Sequence, residues 1–322
     1  MSQEGKTPKI SVCIVAYNHG QYIDDCLSSV VGQQVEADIE ILVGDDCSTD
    51  QTRKIISAYA ERYPDLVFPV FHAKNIGGSL NYQYLMSKAA GEYVAHLDGD
   101  DYWLPGKLAA QVRFLDANPD CAAVYTNAFC IRDDGTPAGV FNNAQPSRFD
   151  INDLLRQGNF LNHSSVLYRS TLRHELLGMQ PPFLDYRILL RLARHGDVGY
   201  LNQALTAYRR SSSSSAIVNA NELVRSLYWE TLQDVPRDMV NMQDLGHGIA
   251  EFMRAIFFRA IRTRSWTLIE TWWPRILAEA PVGRMTMLAW AGWAILRTGF
   301  IEGIDMACRF ITDNPMKIHY RR

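Results

Sequence analysis

The sequence predicts an α/β fold with a mostly parallel central sheet, followed by a helical C-terminal region. Three observations predict it. Short runs rich in β-branched residues alternate with helical patterns through the first part of the chain. The first of these runs is apolar along nearly its whole length, as in a strand covered on both faces. From Asn219 onward the chain reads as helix, rich in Trp, Leu, Ile and Met.

The elements follow in order. Residues 10–17 (ISVCIVAY) form the first strand. Tyr22, Ile23, Cys26, Leu27, Val30 and Val31 then recur at helical spacing. Residues 39–43 form the second strand. Residues 52–63 form a helix with Ile55, Ile56 and Tyr59 on one stripe, ending before Pro64. Residues 66–71 form a third strand, placed at a sheet edge because Pro69 has no N–H for the ladder. Ser79 is read as the cap of a helix reaching Ala90. Residues 92–97 form the fourth strand. Pro105 suits the first turn of a helix ending at Asn118, and residues 121–126 form the fifth strand. Later come a strand at 165–168, a helix at 185–195, and two β-like runs at 198–201 and 205–208. Five consecutive serines, Ser211–Ser215, read as a linker or a mobile lid. The chain is therefore divided into a catalytic domain at 1–215 and a helical region at 216–322.

Composition narrows the function classes. With 47% hydrophobic and 21% charged residues and a net charge of -3, the chain carries no basic footprint for nucleic acid. Its six cysteines form no C-x-x-C pair, which argues against a cysteine zinc site. The polar N-terminus and unpaired cysteines read as a reduced, cytoplasmic protein. No uncharged apolar stretch is long enough to span a bilayer. The apolar run at 287–296 (MLAWAGWAIL), together with Trp266, Trp272, Trp273, Trp290 and Trp293, reads as helix packing, self-association or contact with a membrane surface.

Chemistry is expected where polar residues follow the strands, because open α/β sheets bind ligands at the carboxyl ends of their strands. Asn18 follows the first strand, Asp45 and Asp46 the second, and Asp98-Gly99-Asp100 the fourth. Asp98 and Asp100 offer hard oxygen ligands suited to Mg²⁺ or Mn²⁺, and Gly99 permits close approach of a ligand. Such a cation suits a nucleotide-sugar donor, whose diphosphate leaves with negative charge. No G-x-G-x-x-G follows the first strand and no G-x-x-x-x-G-K-[ST] occurs, which disfavours a dinucleotide fold and a P-loop NTPase.

The segments SVCIVAYNHGQYIDDCLSSV, ILVGDDCSTDQT, NIGGSLNYQYLMSKAAGEYVAHLDGDDYWLPGKL and FLDYRILLRLARHG, in register over roughly residues 8–210, resemble the family 2 glycosyltransferases of GT-A fold. The resemblance implies an inverting enzyme that takes a nucleotide-diphosphate sugar, by family habit a UDP-sugar. The acceptor would be a glycan or lipid-linked glycan in surface polysaccharide or lipopolysaccharide assembly. It implies that Ala16, Tyr17 and Asn18 line the nucleotide pocket and that Asp45 or Asp46 contacts the base. Asp98 would face ribose or metal, Asp100 would bind the metal, and Asp185 would be the catalytic base. The chain departs from the family pattern at Gly44 and Cys47, and at Leu184, where an acidic residue is usual.

Several further residues have two readings each. Lys74 and Asn75 touch base or diphosphate, or form a plain turn. His163 borders the acceptor site or makes a structural hydrogen bond. Trp103 stacks on a sugar or packs in the core. Arg209 and Arg210 clamp the diphosphate or are solvated. Two other classes compete with the transferase: a sugar-phosphate nucleotidyltransferase, weakened by the lack of a basic glycine loop after strand one, and a non-catalytic sugar-nucleotide-binding protein.

Overall fold

The computed structural model describes residues 8–210, 221–309 and 317–320. The serine run and the boundary read at 215/216 lie outside them. The elements in chain order are β1 (Ile10–Ala16), α1 (Ile23–Val31), β2 (Ile39–Asp45), α2 (Thr52–Arg62), β3 (Val67–Phe71), α3 (Gly78–Lys88), β4 (Tyr93–Asp98), β5 (Tyr102–Trp103) and α4 (Lys107–Ala117). Then come β6 (Cys121–Ile131), β7 (Pro137–Asn142), β8 (Arg148–Phe149), α5 (Ile151–Gln157), β9 (Leu167–Arg169), α6 (Arg173–Leu177), α7 (Asp185–Leu192) and β10 (Asp197–Arg209). The last are α8 (Asn221–Gln233), α9 (Met242–Thr263), α10 (Thr267–Ala278), α11 (Arg284–Arg309) and β11 (Lys317–Tyr320).

Two compact units share the chain. The first holds residues 1–149, 160–227 and 316–322; the second holds 150–159 and 228–315. The short segment carrying α5 thus groups with the C-terminal helices, whereas a division at 215/216 puts it in the first domain.

The first unit is built on a mixed sheet of eleven strands. Its parallel part runs β3-β2-β1-β4. Ile10, Val12 and Ile14 of β1 share one buried core with Ile23, Leu27 and Val30 of α1 and with Leu108 and Leu115 of α4. β3 ends the sheet, with Pro69 opposite Val43, so the edge expected from Pro69 is observed. β9 then inserts antiparallel between β4 and β6, and β10 runs parallel to β6.

Three local readings change. Ser79 does not cap α3, which starts at Gly78 behind Gly77; its hydroxyl instead meets the backbone of Phe183. The two β-like runs at 198–201 and 205–208 are one strand, β10, because irregularities after Leu201 and Ala204 absorb the extra residues and keep the pairing to β6. β5, β7, β8, α5 and α6 have no counterpart among the elements expected from the sequence. α5 starts on a reciprocal cap between Asp150 and Asp153.

The second unit has its own helical core, with Trp229, Ile249, Met253, Trp272, Ile276 and Met287 buried. Gly246 and Gly248 let α9 approach its neighbours: a Cβ would lie 2.6 Å from the Trp290 ring and 2.5 Å from the Leu155 carbonyl, respectively. α11 leaves Met285, Trp293, Leu296 and Phe300 exposed. Among the described residues, no helix is long and apolar enough to cross a membrane.

Candidate active site

The parallel arrangement brings the carboxyl ends of β1, β2 and β4 to one edge of the sheet. A cleft of about 330 Å³ opens there, lined by Val15, Ala16, Tyr17, His19, Asp46, Asn75, Gly77, Gly78 and Asn81. The predicted residues Ala16, Tyr17, Asp46 and Asn75 therefore meet. Tyr17 presents an exposed ring, a flat face on which a base can stack. Asp46 is buried and accepts from the N–H groups of Ile76 and Gly77 at 2.7 and 2.9 Å. It fixes the loop leading into α3, whose Gly77 and Gly78 line the cleft.

Asp98, Gly99, Asp100 and Asp185 lie outside this cleft lining, and so do Asp45, Asn18 and Lys74. Asp45, adjacent to Asp46, is wholly buried and paired with Arg53 at 3.1 Å. Asn18 turns its side chain to the N–H of Thr49 at 2.8 Å, with its own backbone at φ 55°. Lys74 is exposed.

Next to the cleft, β4 delivers the acidic loop. His96 and Asp98 are two residues apart on a strand, so they share a face, and their side chains meet at 3.1 Å. Ser164 donates to the other Asp98 oxygen at 3.2 Å. Burial raises the Asp98 carboxyl, but the charge of His96 and its hydrogen bond prevail and hold it well below the usual carboxylate range. Burial raises Asp100; His19 opposes this and Asp98 adds to it. Asp101 is raised further, by burial and then by Asp100 and Asp98. Three carboxyls thus crowd one turn with too little positive charge to ionise them all. Hard oxygen donors in that state fit a divalent cation, which reverses the local charge balance.

The loop is held from below. Arg209, buried to 5% exposure, accepts no solvent role: its backbone N–H donates to Asp101 Oδ1 at 2.7 Å and its Nε to the Asp100 carbonyl at 2.9 Å. Its Nη2 pairs with Asp25 at 3.2 Å, and its guanidinium stacks 4.4 Å over Tyr22. Arg209 is therefore neither a free diphosphate clamp nor solvated, while Arg210 beside it is exposed. Trp103 packs in the core, 2% exposed, its indole donating to the Ser164 carbonyl at 2.8 Å; the sugar-stacking reading is corrected.

His19 and His96 were missed by the sequence reading. The signal for His96 was its two-residue spacing from Asp98 on the strand, and that for His19 its place just after β1. His19 joins the two halves of the site, since it lines the cleft and stands against Gly99, where a Cβ would come within 2.8 Å of its Nδ1. Gly99 is thus required by close packing, while its φ is one that any residue can adopt. His163 is buried and its ring lies 4.3 Å from that of His96; neither of its nitrogens has a hydrogen-bond partner.

Asp185 is the first residue of α7 and does not cap the helix with its side chain. Its side chain stays accessible. Desolvation by the surrounding protein, and then the charge of Asp98, push its carboxyl up to about 6. The clip between Ser79 and Phe183 ties the loop before Asp185 to the first turn of α3, beside the cleft.

Residues 11–176, half of the chain, match Glycosyl transferase family 2. The chain belongs to glycosyltransferase family 2. This glycosyltransferase is 32% identical over 307 residues to the uncharacterised Mycobacterium tuberculosis protein Rv1520, covering 95% of this chain and 80% of that one. It is 27% identical over 220 residues to UDP-Glc:alpha-D-GlcNAc-diphosphoundecaprenol beta-1,3-glucosyltransferase WfaP of Escherichia coli, covering 67% and 83%. Its fold resembles Staphylococcus aureus TarS 1-349 in complex with UDP-GlcNAc, with a TM-score of 0.62, 19% identity and 92% of each chain covered. The glycosyltransferase thus has the GT-A-like architecture expected of it, extended by C-terminal helices.

Proposed function

We propose that this glycosyltransferase moves a sugar from a UDP-sugar to an acceptor hydroxyl with inversion, using a divalent cation and Asp185 as base. The acceptor class is a glycan or lipid-linked glycan of surface polysaccharide assembly. WfaP supports both parts of this reading, since its name specifies a UDP-glucose donor and a diphosphoundecaprenol-linked acceptor. TarS, with UDP-GlcNAc bound, supports the same nucleotide.

One observation carries the proposal. Buried polar atoms without partners gather at the acidic loop and Asp185: His19 Nδ1, His96 Nδ1, Asp101 Oδ2, both nitrogens of His163, and the Tyr125 hydroxyl. Buried polar groups are almost always satisfied, so a cluster of exceptions beside three carboxyls marks a place built for a polar ligand. Tyr125 belongs to it because the Asp185 charge acts on its hydroxyl.

In the mechanism, Tyr17 and Asp46 receive the nucleoside end of the donor at the strand ends. Asp185 takes the proton of the acceptor hydroxyl as that oxygen attacks the anomeric carbon. The nucleoside diphosphate leaves from the opposite face, so one displacement inverts the centre. Asp98 and Asp100 would hold the divalent cation, which would supply Lewis-acid stabilisation of the charge on the diphosphate. Arg209 keeps the Asp100–Asp101 turn in place, and Ser164 and His96 orient Asp98.

A thermal-shift panel of UDP, GDP, CDP and dTDP, each with and without Mn²⁺ or Mg²⁺, tests the reading. Ligands of the native state raise Tm by mass action. The expected result is cation-dependent stabilisation by UDP that Asp100→Ala abolishes. Stabilisation by UDP that ignores the cation, or none by any nucleotide, overturns it.

A further inference from the structure

A second cluster of metal-ligating side chains lies in the first unit, outside the cleft. His174 and Glu175 of α6 meet His195, which follows the end of α7. Glu175 Oε1 is 3.1 Å from His195 Nε2 and 3.6 Å from His174 Nε2. The three ligand atoms all lie within 4.8 Å of one another. Around a tetrahedral zinc with bonds of about 2.0–2.1 Å, ligand atoms stand about 3.3–3.4 Å apart. The two measured separations bracket that value.

A second observation points the same way. His174 Nδ1 lies 2.8 Å from the carbonyl oxygen of Thr171. A carbonyl only accepts, so Nδ1 carries a proton, and Nε2, on the Glu175 side, is the nitrogen a metal would take. An imidazole whose far nitrogen is bonded to a backbone carbonyl is in the state of a metal-bound histidine. Arg191 meets the other Glu175 oxygen at 3.5 Å, leaving Oε1 to the two imidazoles. The His174 side chain is 68% exposed, which gives an entering ion a direct path.

We propose that His174, Glu175 and His195 form a separate site for a zinc-class divalent cation. Two imidazoles and one carboxylate suit zinc, whereas magnesium and manganese favour oxygen sets such as Asp98 and Asp100. The fourth position is left to water. The ion would staple α6 to the end of α7, the helix whose first residue is Asp185. This inference stands independently of the donor and mechanism proposed above.

The test is calorimetric titration of the tag-free full chain with Zn²⁺, with Co²⁺ as a spectroscopic probe. One zinc equivalent is expected, with the visible absorption of low-coordinate Co²⁺. His174→Ala and His195→Ala should each weaken binding at least about tenfold, since even outer partners of metal ligands cost that much. Asp100→Ala should leave this equivalent in place, and excess Mg²⁺ should not displace it. Unaltered far-UV circular dichroism and a cooperative melt of the two metal-free histidine variants show that they are folded. Should His195→Ala destabilise the chain, His174→Ala decides alone, because that side chain stands mostly in solvent. No zinc binding by the unaltered chain, or binding that survives His174→Ala, overturns the proposal.

Discussion

Replacing Asp185 by asparagine separates its chemistry from its structural role. The carboxyl sits at about 6 against an ordinary value of 3.8, a rise of about two pH units at about 1.4 kcal/mol each. The sign follows directly: the folded protein holds this proton more tightly than the unfolded chain. Wild-type stability from this group is complete below the ordinary value and is lost as pH rises through about 6. The undiscounted cost at neutral pH is about 3 kcal/mol. The side chain is accessible, so solvent screening reduces this to about 1 kcal/mol. Asp185→Asn removes the cost, so the variant should melt about 2–4 °C above wild type at pH 7, with the gain gone near pH 4 (an order-of-magnitude expectation from linkage). Transfer should meanwhile fall by about two to four orders of magnitude, the usual contribution of a general base. In the wild type, kcat/KM should drop about tenfold per pH unit below about 6. Sugar-nucleotide turnover by coupled UDP release, across pH, and differential scanning fluorimetry are the assays. A variant that turns over at the wild-type rate removes Asp185 from the mechanism. One that loses activity together with stability shows a structural role instead.

Three other substitutions probe the scaffold of the site. Gly44→Ala puts a methyl 2.0 Å from Asn81 Oδ1, and Asn81 is pinned by the Gly44 carbonyl at 2.8 Å and by His72 at 3.0 Å; urea unfolding should show a loss of about 1–3 kcal/mol. Arg209→Met leaves the Asp100 carbonyl without its donor and Asp25, 61% exposed, to solvent; it should cost about 1–3 kcal/mol in the same assay and weaken the cation dependence of UDP binding. Lys107 is fully buried, bonded to Gln111 at 2.7 Å and seated 3.8 Å over the Trp103 ring. Burial holds its amine well below the lysine range, so the folded chain binds that proton more weakly than the unfolded chain, and wild-type stability should rise toward alkaline pH. Lys107→Met should therefore be more stable than wild type at neutral pH, with the gap closing in alkaline urea titrations; a gap that does not change with pH refutes the assignment.

The strand and helix order of β1 to β4 was legible because strands covered on both faces read as unbroken apolar runs, and Pro69 marked the edge through its missing donor. β10 was not legible as one strand. The polar stretch Asn202-Gln203 interrupts its pattern, and pairing with β6 across three irregularities holds the thirteen residues together. α5 carried a readable cap in Asp150 and Asp153, but its assignment to the second unit rests on contacts with residues far along the chain.

The candidate site divides in the same way. The sequence by itself determined that acids follow the second and fourth strands, because residue spacing along a strand is local. It also placed Asp185 at a helix start. Which of two adjacent aspartates faces the cleft is not a local property: Asp46 lines it while Asp45 lies buried under Arg53. The union of His19 with Gly99, of His96 and Ser164 with Asp98, and of Arg209 with the acidic turn joins residues from β1, β4, the segment before β9 and β10. Only tertiary structure decides such encounters, because side-chain hydrogen bonds and charge interactions act over a few ångströms of space regardless of the distance along the chain.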